Sequence, residues 1–189
     1  MTLSTARPHL RTAVPKMTKG VSTKTIRITA SDGWELEADI HTSTEPTVAI
    51  LISAGTGFPR QFYNSIATYL AARGAIVLTY DYRGIGGSAG DDLANSGIDY
   101  SDWGRFDAAA ALDALEDAAP GLPLTHLCHS VGGHFIGLMA NHSKITRHAF
   151  VSVGTGFFGG HHLRNIPSEL YFWWGLGPYS VSYTHLTLP

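Results

Sequence analysis

Four short apolar runs set what this chain can fold into: Val48–Ile52, Ala75–Tyr80, Leu124–Cys128 and Ala149–Val153. None alternates apolar with polar residues, as a strand with one wet face would. Short continuous runs suit strands buried on both faces, as in a parallel sheet covered by helices. Segments with helical spacing lie between them. Tyr63–Ala72 places Ile66 and Leu70 on one face and stops at Gly74. Asp102–Ala119 is rich in Ala and Leu and closes at Pro120-Gly121, and Gly132–Ala140 opens a further helix. Strand and helix in alternation predict an α/β fold, a mainly parallel sheet flanked by helices with right-handed crossovers. Ahead of this block, Thr23–Ala30 and Trp34–Ile40 do alternate, and Ser31-Asp32-Gly33 between them is a turn, so the two read as a hairpin.

Composition narrows the function classes. The 189 residues are 44% hydrophobic and 15% charged, which is globular. With 13 basic and 15 acidic residues the formal net charge is −2, which leaves no electrostatic case for nucleic acid or an anionic membrane. One cysteine excludes a disulfide framework and a Cys-rich metal site, and fits a reducing compartment. No apolar run is long enough to span a membrane. Residues 1–20 carry Arg7, Arg11 and Lys16 without an apolar core. They read as a flexible tail or as translation begun upstream of Met17 rather than as a secretory signal, and a transit peptide is the weaker alternative. A cytoplasmic location is therefore expected.

In open α/β sheets the reactive site lies at the carboxyl ends of the strands. The loops to read are thus Ser53–Phe58, Asp81–Ser88, Cys128–Gly133 and Gly154–Gly160, all rich in glycine. The third carries the clearest chemistry. Leu124 to Phe135 runs strand, sharp turn, helix, with Ser130 at the tip, which is the setting of a nucleophile elbow. The residues two away from the serine must be small because strand and helix approach closely there. Gly132 meets that demand, and Cys128 stands where the usual motif has glycine. His129 and Gly133 complete the elbow. The competing reading is an ordinary helix N-cap at His129-Ser130. Ala54-Gly55-Thr56-Gly57 after the first apolar run is positioned to supply an oxyanion donor. The main-chain N–H groups of Thr56 and Val131 are the expected pair, and a simple glycine turn is the alternative. Asp81-Tyr82-Arg83-Gly84-Ile85-Gly86-Gly87-Ser88 lacks the spacing of a dinucleotide loop, so Asp81 and Arg83 are read as residues that fix the loop.

Together these segments resemble the α/β-hydrolase superfamily, in particular its serine aminopeptidase/monoacylglycerol-lipase-like branch and the bacterial α/β hydrolases within it. The likeness spans about Ile26 to Tyr179. It rests on Ala54–Tyr63, Tyr80–Gly86 and His129–Gly133. It implies the α/β-hydrolase fold, no metal, no organic cofactor and a small-molecule acyl substrate attacked by Ser130. It also implies a triad in the order Ser, Asp/Glu, His. Two departures stand out: Ala54-Gly55 replaces the His-Gly pair common in the oxyanion loop, and Cys128 replaces glycine in the elbow. An acyltransferase on the same fold and a non-catalytic binding relative are the alternatives.

After Val153 the candidates for the remaining triad members are His161, His162, Glu169 and His185. The first two follow the strand next to the elbow, too early for the family's histidine, and are read as loop or cap residues. The reading therefore divides the chain into residues 21–158, the N-terminal part of the hydrolase domain, and residues 159–180, the start of a cap. Residues 181–189, Val181 to Pro189, match one translated frame of a transposon-based sequencing adapter and are read as a non-native tail. α/β domains of this kind run roughly 200–250 residues. The C-terminal strands, the acid and the histidine are accordingly expected beyond the end of this chain, which is expected to be inactive by itself.

Overall fold

The computed structural model describes residues 20–154 and 163–171. The chain divides into two units, Met1–Val153 and Gly154–Pro189, and the first carries the sheet. Its strands are β1 (Ser22–Thr29), β2 (Glu35–Thr42), β3 (Val48–Ser53), β4 (Ala75–Tyr80), β5 (Leu124–His129) and β6 (Ile145–Val151). They lie in the order β1-β2-β4-β3-β5-β6. β1 and β2 form the hairpin, with Ile28 opposite Leu36 and Gly33 taking the turn at φ +90°. β2 runs antiparallel to β4, while β4, β3, β5 and β6 are parallel.

Helices α1 (Asn64–Ala71) and α2 (Ala109–Ala118) cross between the parallel strands, and α3 (Ile166–Leu170) belongs to the second unit. α1 buries Ala67 and Ala71; α2 buries Ala111, Leu112 and Leu115. Small alanines let the helices lie close to the sheet, where Leu51, Val77 and Leu78 are fully buried. Among the described residues this is an α/β-hydrolase architecture.

Three elements differ from the sequence expectation. The helix expected from Asp102 begins as a π-helical turn, Trp103–Ala108. Gly104 packs there against Phe135, where an added Cβ would sit 2.8 Å from that residue's Cβ, and Trp103 stacks on Tyr82 at 4.6 Å. The segment expected as a helix from Gly132 is a 3-10 helix that starts at Ser130 itself, Ser130–Leu138. Its three glycines, Gly132, Gly133 and Gly137, each weaken a regular α-helix by about 1 kcal/mol. Finally, the strand expected at Ala149–Val153 runs Ile145–Val151, and it is exposed rather than buried beyond Ile145. It is the outermost strand on its side of the described sheet, so only β5 flanks it.

Candidate active site

β5 delivers the chain to the carboxyl edge of the sheet, and Ser130 turns it. Ser130 has φ +51°, one of few non-glycine residues in the left-handed region. For an L-residue this conformation costs on the order of 1–2 kcal/mol, so neighbouring structure must impose it. The neighbour is β3. A Cβ on Gly132 would come within 2.6 Å of the Ser53 carbonyl oxygen, and one on Gly133 within 2.7 Å of Val153. The N-cap position belongs to His129, in extended conformation and with no side-chain cap hydrogen bond. An N-cap serine is therefore not what the turn contains. Ser130 is half-buried, and its hydroxyl has no hydrogen-bond partner among the described residues.

Cys128 fits for a reason the motif does not reveal. Its side chain projects from the sheet, in register between Ser53 of β3 and Phe150 of β6, and is fully buried. The close approach falls on Gly132, so a small side chain at position 128 is accommodated. Burial pushes the Cys128 thiol up to about 12, which keeps it protonated and a poor nucleophile beside Ser130.

The Ala54–Gly57 loop is tied to the turn after β5 through Tyr63. The Gly55 N–H donates to Tyr63 Oη (3.0 Å), and Tyr63 Oη lies 2.7 Å from His129 Nδ1. Tyr63 Oη thus accepts from Gly55 and shares a second hydrogen bond with His129 Nδ1. Phe58 packs on the His129 ring at 5.5 Å. Gly55 is pressed against the same ring, with only 3.0 Å between a built Cβ and Nδ1. Gly55 is thus engaged, and the next amide along is that of Thr56. Thr56 Oγ1 is tethered to Tyr100 Oη (3.0 Å). The Thr56 N–H donates to no described residue, and Val131 is the second residue of the 3-10 segment that starts at Ser130.

Two buried arginines hold the surrounding loops. Arg60, which follows the Ala54–Gly57 loop, pairs with Asp81 at 2.5 Å, Asp39 at 2.9 Å and Glu37. Asp81 also accepts from the N–H groups of Arg60 and Gly87. Arg83 pairs with Asp107 at 2.7 Å and Asp32 at 2.6 Å. Although burial opposes its charge, hydrogen bonds to these carboxylates raise its pKa. Asp81 and Arg83 therefore fix the loop, as the sequence implied. Two surface concavities, one beside Trp34 and Asp92 and one beside Phe106 and Asn141, lie away from Ser130.

The structure thus gathers Cys128, His129, Ser130, Val131, Gly132 and Gly133 at one edge, with Thr56 on the adjoining loop. His161 and His162 lie outside the described residues. Tyr63 and Tyr100 were not singled out by sequence reasoning. Tyr63 sits inside the Ala54–Tyr63 stretch that carries the family likeness, and nothing local marks its reach to His129.

A family model described as serine aminopeptidase, S33, matches residues 44–180. No curated protein matches the sequence. Among solved structures, a thermostable carboxyl esterase from Bacillus coagulans superposes with a TM-score of 0.61 at 19% identity, over 80% of this chain and 51% of its own. An α/β serine hydrolase without a lid from Xanthomonas campestris gives 0.58 at 15% identity, over 71% and 63%. An esterase from Pyrococcus furiosus gives 0.57 at 18% identity, over 72% and 55%. The chain spans about half to two thirds of the length of these structures, and the likeness establishes the shared fold.

Proposed function

The chain belongs to the serine aminopeptidase S33 family of α/β hydrolases, and on that premise we propose that Ser130 is the nucleophile of a serine hydrolase acting on carboxylic esters or related acyl substrates. The observation that carries this reading is the left-handed backbone of Ser130 at the tip of β5, enforced by the contact of Gly132 with Ser53. A half-buried hydroxyl at such a tip can reach both a substrate and a base. Its oxygen attacks the acyl carbon while its proton passes to a histidine, assigned here to chain outside the described residues. The carbonyl oxygen gains negative charge as the tetrahedral intermediate forms. The Val131 and Thr56 N–H groups are the donors that meet it. The histidine returns the proton to the leaving group, and water attacking the acyl-enzyme then releases the acid and restores Ser130. That the three superposed proteins are described as esterases or a serine hydrolase favours this chemistry.

Loss of a triad partner costs several orders of magnitude in rate. The 189-residue chain alone is accordingly expected to turn over p-nitrophenyl acetate barely above background. Full-length protein is expected to turn it over readily and to lose that activity on Ser130→Ala. Vigorous hydrolysis by the 189-residue chain, abolished by Ser130→Ala, would place the base within these 189 residues and overturn the expected inactivity. Full-length activity indifferent to Ser130→Ala would overturn the nucleophile.

A further inference from the structure

Beneath the elbow, on one face of the sheet, β5 and β6 bring together the chain's single cysteine and two histidines. His126 and Cys128 are two residues apart on β5 and so share a face, and His148 is the register partner of His126 on β6. One ligand atom from each, Cys128 Sγ and an imidazole nitrogen from each histidine, lie within 4.8 Å of one another. We propose that His126, Cys128 and His148 form a binding site for a soft divalent transition metal of the zinc type, which would clamp β5 to β6 directly below Ser130.

The state of His126 is the independent observation. The residue is fully buried, yet its Nδ1 has no hydrogen-bond partner. Its other nitrogen, Nε2, is held 2.7 Å from Ser53 Oγ, which in turn lies 2.9 Å from Tyr80 Oη. A buried imidazole whose one nitrogen is oriented by a hydroxyl and whose other is bare is the usual preparation of a metal ligand, in which the outer hydrogen bond fixes tautomer and ring direction. Cys128 is fully buried beside His126, while His148 is exposed. Exposure of the third ligand provides an entry path and leaves a fourth position for water.

Bond lengths of about 2.0–2.3 Å to nitrogen and sulfur require ligand atoms roughly 3.3–3.8 Å apart in a tetrahedral shell. The observed spacing, up to 4.8 Å, is wider by about 1.5 Å at most, which a side-chain rotation of the exposed His148 can close. On binding, the Cys128 S–H bond breaks, the sulfur–metal bond forms and the proton leaves to solvent, with no change of oxidation state. Imidazole and thiolate together favour zinc over magnesium or calcium. No part of this rests on Ser130 being a nucleophile.

Cobalt(II) titration of the 189-residue chain is the test, because a thiolate-to-cobalt charge-transfer band can arise only from Cys128, the one cysteine. The proposal expects that band, saturating at one equivalent and displaced by zinc. It is expected to disappear in Cys128→Ser. In His148→Ala, an exposed change that leaves the core intact, affinity is expected to fall by more than the roughly 10–100-fold that loss of a mere supporting hydrogen bond costs. Absence of the thiolate band, or a band of undiminished affinity in His148→Ala, would overturn the site.

Discussion

The apolar run of β4 and the one that overlaps the end of β6 read alike as sequence, yet the fold treats the two strands oppositely. Every residue of β4 is buried, whereas β6 exposes all but Ile145, with Phe150 57% and Val151 47% exposed. β4 lies between β2 and β3, and α1 packs on it; β6 has one neighbour among the described strands. Apolarity declares that a strand is built to be covered, but the cover comes from elsewhere in the chain. The β4 flank is also fastened by charge through Arg60 and Arg83, and β6 takes part in no ion pair among the described residues. Ser130 stands between the locked flank and the open one.

This contrast can be broken by measurement. The largest effect is expected from Arg60→Ala, which strands Asp81 and Asp39, whose side chains are 0% and 8% exposed. Leaving a buried charge uncompensated costs about 3–5 kcal/mol, to be read as a fall in the urea midpoint. Next is Leu78→Ala in the middle of β4, expected to lose about 2–5 kcal/mol. The matching change in β6, Val151→Ala, should stay within about 0.5 kcal/mol. Similar losses at the two positions would erase the distinction between the flanks.

A subtler effect comes from pH. His41 on β2 is fully buried, with Nδ1 on Thr23 Oγ1 at 3.0 Å, and burial lowers its pKa below 6.5 although Asp39 acts the other way. The unfolded chain therefore takes the proton first as pH falls. Stability from this group is complete above about pH 6.5 and declines below it, down to the folded-state pKa. His41→Gln should flatten that slope between neutral and mildly acidic pH in thermal melts. An unchanged slope would remove His41 as its source.

How much was legible in the sequence follows the range of the interactions. β4 matches its apolar run residue for residue because Gly74 and Asp81 bound it. The tight turn at Ser130 was legible because strand, serine and Gly132 are neighbours in the chain. β6 was placed four residues late: Thr146, Arg147 and His148 look unlike a buried strand, and the strand is not buried. The Tyr63–His129 link spans 66 positions, and the His126–His148 pairing depends on strand register. Asp81 and Arg83 were recognised as loop-fixing, but their partners Arg60, Asp32 and Asp107 come from other elements. Such pairs carry no local pattern. The same holds for Cys128, where the register with Ser53 and Phe150, and the close approach falling on Gly132, explain why a thiol is tolerated at this turn.

The measurement that tests the central claim most directly is covalent labelling of full-length protein with a fluorophosphonate probe, located by peptide mass mapping. The account predicts one adduct, on Ser130, absent from Ser130→Ala and weakened in Gly132→Ala, where the added methyl meets the Ser53 carbonyl. A folded full-length protein that takes no adduct, or takes it on another residue with Ser130 unmodified, would contradict it.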